Sequence, residues 1–427
     1  MNNKRVIIID KNGKLHKPRI IFNQKGYTYI DRNINVTNLP IKVNTNCEYE
    51  KKLFMELDKY LNALRRPPFI YELDLIETVK KNCESIKIIF TSLKNKKQTE
   101  AEILLKEMLK DVTENSLFYS ELNKSYAFRA IAPFENLHSS GYEAEYKKMM
   151  ETDLTFFRLR IKKPENTCDI SSLNDIVHLP YKKRDKASNM RFSSVGIPCL
   201  YLGVTSLVCA QECRLKSDDE NEIYCSVFVP NDEGKKLKIL ALTFSQYLID
   251  GIQHNNNFDD SQETAMRIKL QSDMLKLYPL LLAVSFTVTE NDRKIKYEYL
   301  ISQSLMKIMH NVGIDGIAYL SAQGENEFQY PQCVNLAIPA YDISDTKQFS
   351  KYCSMFEISR PVKFEKQCST NFKSYINTVY EKYLDGSEFE SFTSKVNFNG
   401  EYIYYGDTDF GKFDNYLCSL KRENFIL

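Results

Sequence analysis

Residues 189–214 read Asn-Met-Arg-Phe-Ser-Ser-Val-Gly-Ile-Pro-Cys-Leu-Tyr-Leu-Gly-Val-Thr-Ser-Leu-Val-Cys-Ala-Gln-Glu-Cys-Arg. One short stretch thus carries an arginine (Arg191), a turn with Gly196 and Pro198, an apolar strand bearing Tyr201 and a helix bearing Glu212. Period two over 199–203 puts Leu200 and Leu202 on one face of the strand and Tyr201 on the other. The helix is expected from about 205 to 215.

Outward from this unit, further strands are expected at 155–161, 222–229, 237–241, 281–289, 316–321 and 333–338. Helices are expected at 262–276 and 297–311, with Gly313 placed to end the second. Short strands with irregularly inserted helices read as an α+β domain with a mixed β core, not a repeating βαβ array. Residues 161–190 and 251–263 read as excursions from that core. Neither GxGxxG nor GxxxxGK[ST] occurs, so the sequence supports neither a Rossmann site nor a P-loop.

Toward the N-terminus, residues 1 to about 45 suggest short strands at Val6–Ile9, Arg19–Phe22 and Tyr27–Ile30. Residues 48–118 read as helical. Leu53, Leu57, Leu61 and Leu64 form one stripe, and Pro67 and Pro68 break the chain. Leu73, Ile76, Val79 and Cys83 form a second stripe, and Ile103, Leu104 and Met108 a third. Three regions result: 1–150, an accessory region mainly helical after residue 47; 151–344, the mixed domain; and 345–427, an extension of unassigned role. The accessory helices pack on themselves or on their neighbour, or else offer a partner surface. They carry no clustered site residues.

The chain has 427 residues, 43% hydrophobic and 27% charged, the composition of an ordinary globular protein. With 58 basic and 56 acidic residues the net charge is +2, which leaves no footprint for general nucleic-acid or anionic-membrane binding. The 11 Cys include no CxxC pair and point to reduced thiols. Cys209 and Cys213 fall four apart, as a metal pair or as small buried hydrophobes. With 5 scattered His and no HExxH, zinc hydrolysis has no support and no metal is expected. The first apolar run, Val6–Ile9, is too short for a signal-peptide core. No run approaches the roughly 18 residues of a membrane span. A cytoplasmic protein is the expectation, unless a secretion system that needs no such signal exports it.

The candidate site residues each allow two readings. On the strand 155–161, Phe157, Leu159 and Ile161 share one face, and Arg158 and Arg160 the other. Adjacent guanidinium groups repel unless an anion such as pyrophosphate lies between them, or they snorkel to solvent at an edge. Tyr201 stacks on an aromatic ligand or is an ordinary half-buried tyrosine. Glu212, set in the apolar helix Leu207–Ala210, is a functional acid or the partner of Arg191 or Arg214 in a structural salt bridge.

The order of these residues carries a resemblance. His-Leu-Pro-Tyr at 178–181, Arg-Phe-Ser-Ser-Val-Gly-Ile-Pro-Cys-Leu-Tyr-Leu-Gly at 191–203 and Gln-Glu at 211–212 resemble the signature of the RES-domain family, named for its Arg, Glu and Ser. The early strand Phe-Arg-Leu-Arg fits it, as does the late segment from Gly313, Gly-Ile-Asp-Gly-Ile-Ala-Tyr-Leu-Ser, ending at Ser321. The likeness covers roughly 152–340. Relatives often carry Trp before the glutamate; here Gln211 stands there, a change expected to alter packing more than chemistry.

The resemblance implies an ADP-ribosyltransferase-like fold over 151–344 and an enzyme that splits the nicotinamide–ribose bond of NAD with water or inorganic phosphate. Such proteins are often toxins held by a protein antitoxin or regulatory partner. The implied catalytic residues are Glu212, Arg158 and Tyr201, and the implied substrate-binding residues are Arg191, Ser321 and Arg160. NAD enters as substrate and no other cofactor is implied. Self-association into a homo-oligomer is compatible with this reading. The alternatives are an ADP-ribosyltransferase acting on a macromolecule through the same pocket, and a catalytically inactive NAD-binding or interaction module.

Overall fold

The computed structural model describes residues 8–9, 15–16, 21–23, 26–28, 39–64, 75–128, 154–165, 169–187, 190–193, 196–215, 221–244, 262–290, 293, 295–322, 334–364, 395–398, 401–404 and 408–427. These fall into two compact units. One holds the described residues of Met1–Tyr119 and Phe244–Gly313. The other holds those of Ser120–Ala132, Glu143–Thr243 and Ile314–Leu427. The sequence reading drew consecutive regions; in the structure the segment 244–313 clusters with the N-terminal helices instead of with the mixed domain.

In the first unit, β1 (Ile8–Ile9) pairs with β2 (Leu15–His16) and β3 (Ile21–Asn23) with β4 (Gly26–Thr28), both antiparallel. Strand β5 (Ile41–Val43) precedes three helices, α1 (Asn46–Leu64), α2 (Leu75–Lys94) and α3 (Gln98–Asn115). The first two stripes are core. Leu53, Leu57, Leu61 and Leu64 are buried on α1, and Ile76, Val79 and Cys83 on α2. Leu73 lies outside the described residues.

The third stripe is corrected. Ala101, Leu105, Met108, Leu109 and Val112 are buried on α3, whereas Ile103 is 52% exposed and Leu104 half-buried. The buried set follows the i, i+4, i+7, i+8, i+11 rule from Ala101. Ile103 stands about 200° around the helix from Ala101, at 100° per residue.

Later in the chain come, for the second unit, β6 (Tyr119–Glu121), β7 (Phe156–Lys162), α4 (Leu173–Ile176), β8 (Cys199–Gly203), α5 (Ser206–Glu212), β9 (Glu222–Pro230) and β10 (Lys238–Leu242). The first unit resumes with α6 (Gln262–Val284), β11 (Phe286–Val288) and α7 (Tyr297–Ile308). The expected strand at 281–289 is divided: residues 281–284 close α6 and Phe286–Val288 form β11. Residues 277–284 are all buried, so the run is apolar on every side, and periodicity cannot separate buried helix from buried strand there.

Pro279 lies inside α6 and deprives the Leu275 carbonyl, four residues earlier, of its helical donor. The Tyr60 hydroxyl takes over, donating to that carbonyl at 2.8 Å. Strand β11 runs parallel to β5. After α7, a 3₁₀ turn over Met309–Val312 ends on Gly313 with φ of +77°, a left-handed cap that glycine accepts without strain.

The second unit is completed by β12 (Gly316–Leu320), β13 (Val334–Pro339), β14 (Phe356–Ser359), β15 (Val362–Lys363), the hairpin β16 (Lys395–Phe398)–β17 (Glu401–Tyr404), α8 (Asp409–Ser419) and β18 (Arg422–Asn424). Ten strands form one mixed sheet in the order β18-β14-β9-β7-β8-β13-β12-β10-β6, with β15 beside β9. Only β10–β12 is parallel among the registers resolved along it. The fold is α+β with a helical N-terminal region. The C-terminal segment is no appendage: β14, β15 and β18 belong to the sheet, and α8 contributes Phe413 and Leu417 to a core cluster with Phe157, Leu159, Cys209 and Val227. Among the described residues no helix is long and apolar enough to cross a membrane.

The corrected face of α3 sets a test. Leu105→Ala removes a fully buried side chain and is expected to lower stability by about 2–5 kcal/mol. Ile103→Ala is expected to stay within about 0.5 kcal/mol. Denaturant unfolding of the two variants, followed by a helix-sensitive signal, measures both.

Candidate active site

Tyr201, Tyr319 and Asn335 meet on one face of the central strands. In the register, Asn335 of β13 lies opposite Gly203 of β8 and Tyr319 of β12, and Ala337 opposite Tyr201. Directly paired residues share a face, and so do residues two apart, which puts all three side chains on the same side. Phe157, opposite Gly203, joins that side, so Arg158 and Arg160 alternate to the other.

Gly203 makes room for α5. A Cβ there would stand 2.5 Å from Val208 Cγ1 and 2.8 Å from Cys209 Sγ. The helix therefore lies directly on β8, and Cys209, buried, points its thiol at the Phe157 carbonyl at 3.2 Å. Thr205 caps the helix, accepting from Val208 N at 3.1 Å. At the other end of α5, Glu212 Oε1 accepts a hydrogen bond from Asn335 Nδ2 at 3.0 Å. The sequence reading offered Arg191 or Arg214 as its partner; the structure supplies the Asn335 amide. No motif singled out Asn335, because its role depends on a strand register that spans more than a hundred residues of sequence.

Around this pair, burial pushes the Tyr201 phenol well above its ordinary pKa, with the Ser193 hydroxyl acting in the opposite direction. The Tyr201 hydroxyl is buried without a partner of ordinary hydrogen-bond geometry. Tyr319 is raised too, by burial first and then by the Glu212 charge, while Arg191 opposes the shift. Tyr319 also packs on Phe192, with ring centroids 4.3 Å apart. Glu212 is thus within electrostatic reach of Tyr201 and Tyr319, and Arg191 of Tyr319. Ser321, buried, follows β12 at the same sheet end as Gly203.

Arg158 and Arg160 have different surroundings. Strands β7 and β8 share a single ladder position, Phe157 with Gly203. Arg158, 6% exposed, donates from Nη1 to the Tyr201 carbonyl at 2.6 Å, while its Nε is buried without a partner. Burial lowers its pKa, yet arginine starts so high that it stays a cation. Arg160 donates from Nε to the Asp175 carbonyl at 3.1 Å and from Nη2 to the Val177 carbonyl. Burial and the neighbouring Arg158 charge bring its pKa down to about 9. Two backbone acceptors occupy Arg160, which ties the α4 segment to β7.

The same segment is stapled further on. His178 is buried, its Nδ1 lies 2.8 Å from the Leu179 carbonyl, and its Nε2 accepts from Ser350 N at 2.9 Å. That pair of contacts fixes a neutral ring with its proton on Nδ1. Among the described residues, no group of three His, Cys, Asp or Glu gathers as a metal-ligand set.

The Glu212–Asn335 pair thus lies beside Tyr201 and Tyr319 on one face of the mixed sheet. No protein-family model matches the chain. Over 217 residues the chain is 33% identical to a Bacillus subtilis (strain 168) protein named "Putative toxin YopC". The alignment covers 49% of this chain and 46% of that protein, so the chain spans less than half the length of this curated relative. No solved structure matches.

His178 sets a pH test. Burial lowers its pKa from the ordinary 6.5 to about 4. The unfolded chain takes up its proton near 6.5 and the folded one only near 4, so acid favours unfolding across that window and the His178 contribution is complete above it. Stability measured from pH 7 to pH 4 is expected to fall less steeply in His178→Gln than in wild type.

Proposed function

We propose that the chain is an NAD-consuming enzyme that breaks the nicotinamide–ribose bond and serves as a toxin or defence effector. The observation that carries the reading is Glu212, held at Oε1 by the neutral Asn335 amide beside two tyrosines. The similarity to a protein named as a toxin supports the coarser half of the reading.

Departure of nicotinamide leaves an oxocarbenium-like ribose. A carboxylate facing that carbon stabilises the charge as it develops. An amide donor orients the carboxylate without cancelling its charge, and Oε2 remains to accept from ribose hydroxyls. Tyr201 stacks on the nicotinamide ring. Arg191 holds pyrophosphate or an attacking phosphate, with the Arg158 cation adding to the local positive field. Ser321 donates to the carboxamide or to a ribose hydroxyl. The acceptor is water, giving ADP-ribose, or inorganic phosphate, giving a phosphorylated ADP-ribose.

Mass spectrometry of purified protein with NAD, with and without phosphate, tests this. Release of nicotinamide is expected. Transfer of ADP-ribose to a macromolecule would identify a transferase. NAD that stays intact for hours with every acceptor would leave an inactive binding module and end the proposal. Glu212→Gln is expected to slow turnover by roughly 10²–10³ while NAD binding persists, since it deletes the charge and keeps the shape. Turnover within about threefold of wild type would make Glu212 structural.

A further inference from the structure

We propose that α8, near the C-terminus, is a positioning element of the active site: Asp414 holds the first turn of α5 and thereby sets the place of Glu212. The inference rests on the reading of Glu212 as the catalytic carboxylate.

Helix α5 has seven residues, too few to be stable by itself. It must be held from outside, and the holds are specific. Asp414 is 1% exposed, and its two carboxylate oxygens lie 3.2 and 3.1 Å from Ser206 N, the first amide of the helix. That amide is one of the donors a helix start leaves unsatisfied, and a carboxylate there also meets the positive end of the helix dipole. On the flank, Phe413 and Leu417 of α8 pack with Cys209 and Ala210 of α5. Thr408 anchors α8 in turn, accepting from Gly411 N at 2.9 Å.

Glu212 is the last residue of α5, so its contact with Asn335 is the far end of a lever pinned by Asp414. Seven residues make a lever of about 9 Å, and a tilt of about 6° at the pinned end moves the carboxylate by about 1 Å. A displacement of that size at a reacting group can cost up to about a hundredfold in rate. Burying a carboxylate is expensive unless it is hydrogen-bonded, so Asp414 is a costly way to fill space and an effective way to hold an amide. Asp414 touches no substrate in this scheme; it acts through Glu212.

The test uses the full chain. Asp414→Ala is expected to lower kcat for nicotinamide release about ten- to a hundredfold, with KM for NAD within about threefold. Asp414→Asn keeps an acceptor oxygen and is expected to recover most of that rate. Adding Asp414→Ala to Glu212→Gln is expected to cost nothing further, because the lever then has nothing to place. Amide hydrogen exchange is expected to rise in 206–212 of Asp414→Ala and to stay unchanged in β13. If Asp414→Ala does not fold, Ser206→Pro removes the same amide at a helix position where proline is tolerated, behind an extended Thr205 (φ −144°, ψ 154°), and the same kinetic signature is expected.

Unchanged exchange in α5, or faster exchange with unchanged kcat, overturns the proposal, as does an additive loss in the double variant. A wild-type protein that leaves NAD intact overturns the catalytic reading and not the clamp, which the exchange data then support or overturn alone.

Discussion

The Arg158 guanidinium donating to the Tyr201 carbonyl is the contact on which the site depends. Strands β7 and β8 share one rung at Phe157 and Gly203 and no other. The next carbonyl of β8 in from that rung would be left without a ladder donor, and buried carbonyls are seldom left so. Arg158 supplies the donor, at 2.6 Å, and ties the β7–β9 half of the sheet to the β8–β13–β12 half. A buried cation is a costly tie. Its consequence is a positive field beneath the strand that carries Tyr201, and the field is strong enough to help bring the Arg160 pKa down to about 9. Arg160 is then spent on the Asp175 and Val177 carbonyls, so two arginines that alternate together on one strand do separate work.

Much of this was legible in the sequence. The strand 199–203 is where its alternation put it, and 222–229, 237–241, 316–321 and 333–338 differ from their strands by a residue or so at the ends. These segments are short, rich in Val, Ile, Leu and Tyr, and bounded by turn residues. Of the expected α3 stripe, Met108 is buried, whereas Ile103 and Leu104 stand off the face that starts at Ala101. The buried face runs through Ala101, whose small side chain gives little signal of burial in the sequence. In 281–289 the strand is confined to 286–288, because residues 281–284, buried on all sides, carry no period and continue α6.

The site was legible as a set of residue types and not as a set of contacts. Arg191, Tyr201, Glu212 and Ser321 could be singled out, but their partners could not. Asn335 meets Glu212 across 123 residues, and Asp414 meets Ser206 across 208. Both contacts follow from the order of strands in the sheet and from a helix returning from the C-terminal segment. No local pattern encodes either. The segment 345–427, unassigned by its composition, therefore bears directly on how α5 is held.

The choice of partner for Glu212 decides what the carboxylate can do. An arginine at hydrogen-bond distance would bind it bidentately and offset its charge, leaving a stable ion pair with little field to spare. Asn335 gives one N–H and no charge. Glu212 also acts on Tyr319, whose phenol is raised by burial first and then by that neighbouring carboxylate. A half-buried polar group is costly unless it is hydrogen-bonded, and the Asn335 amide meets that need at Oε1. The helix is fixed at both ends, by Asp414 at the first residue and Asn335 at the last. Asn335 therefore orients Glu212 by one neutral donor, and the register of β13 against β8 and β12 sets where that donor lies.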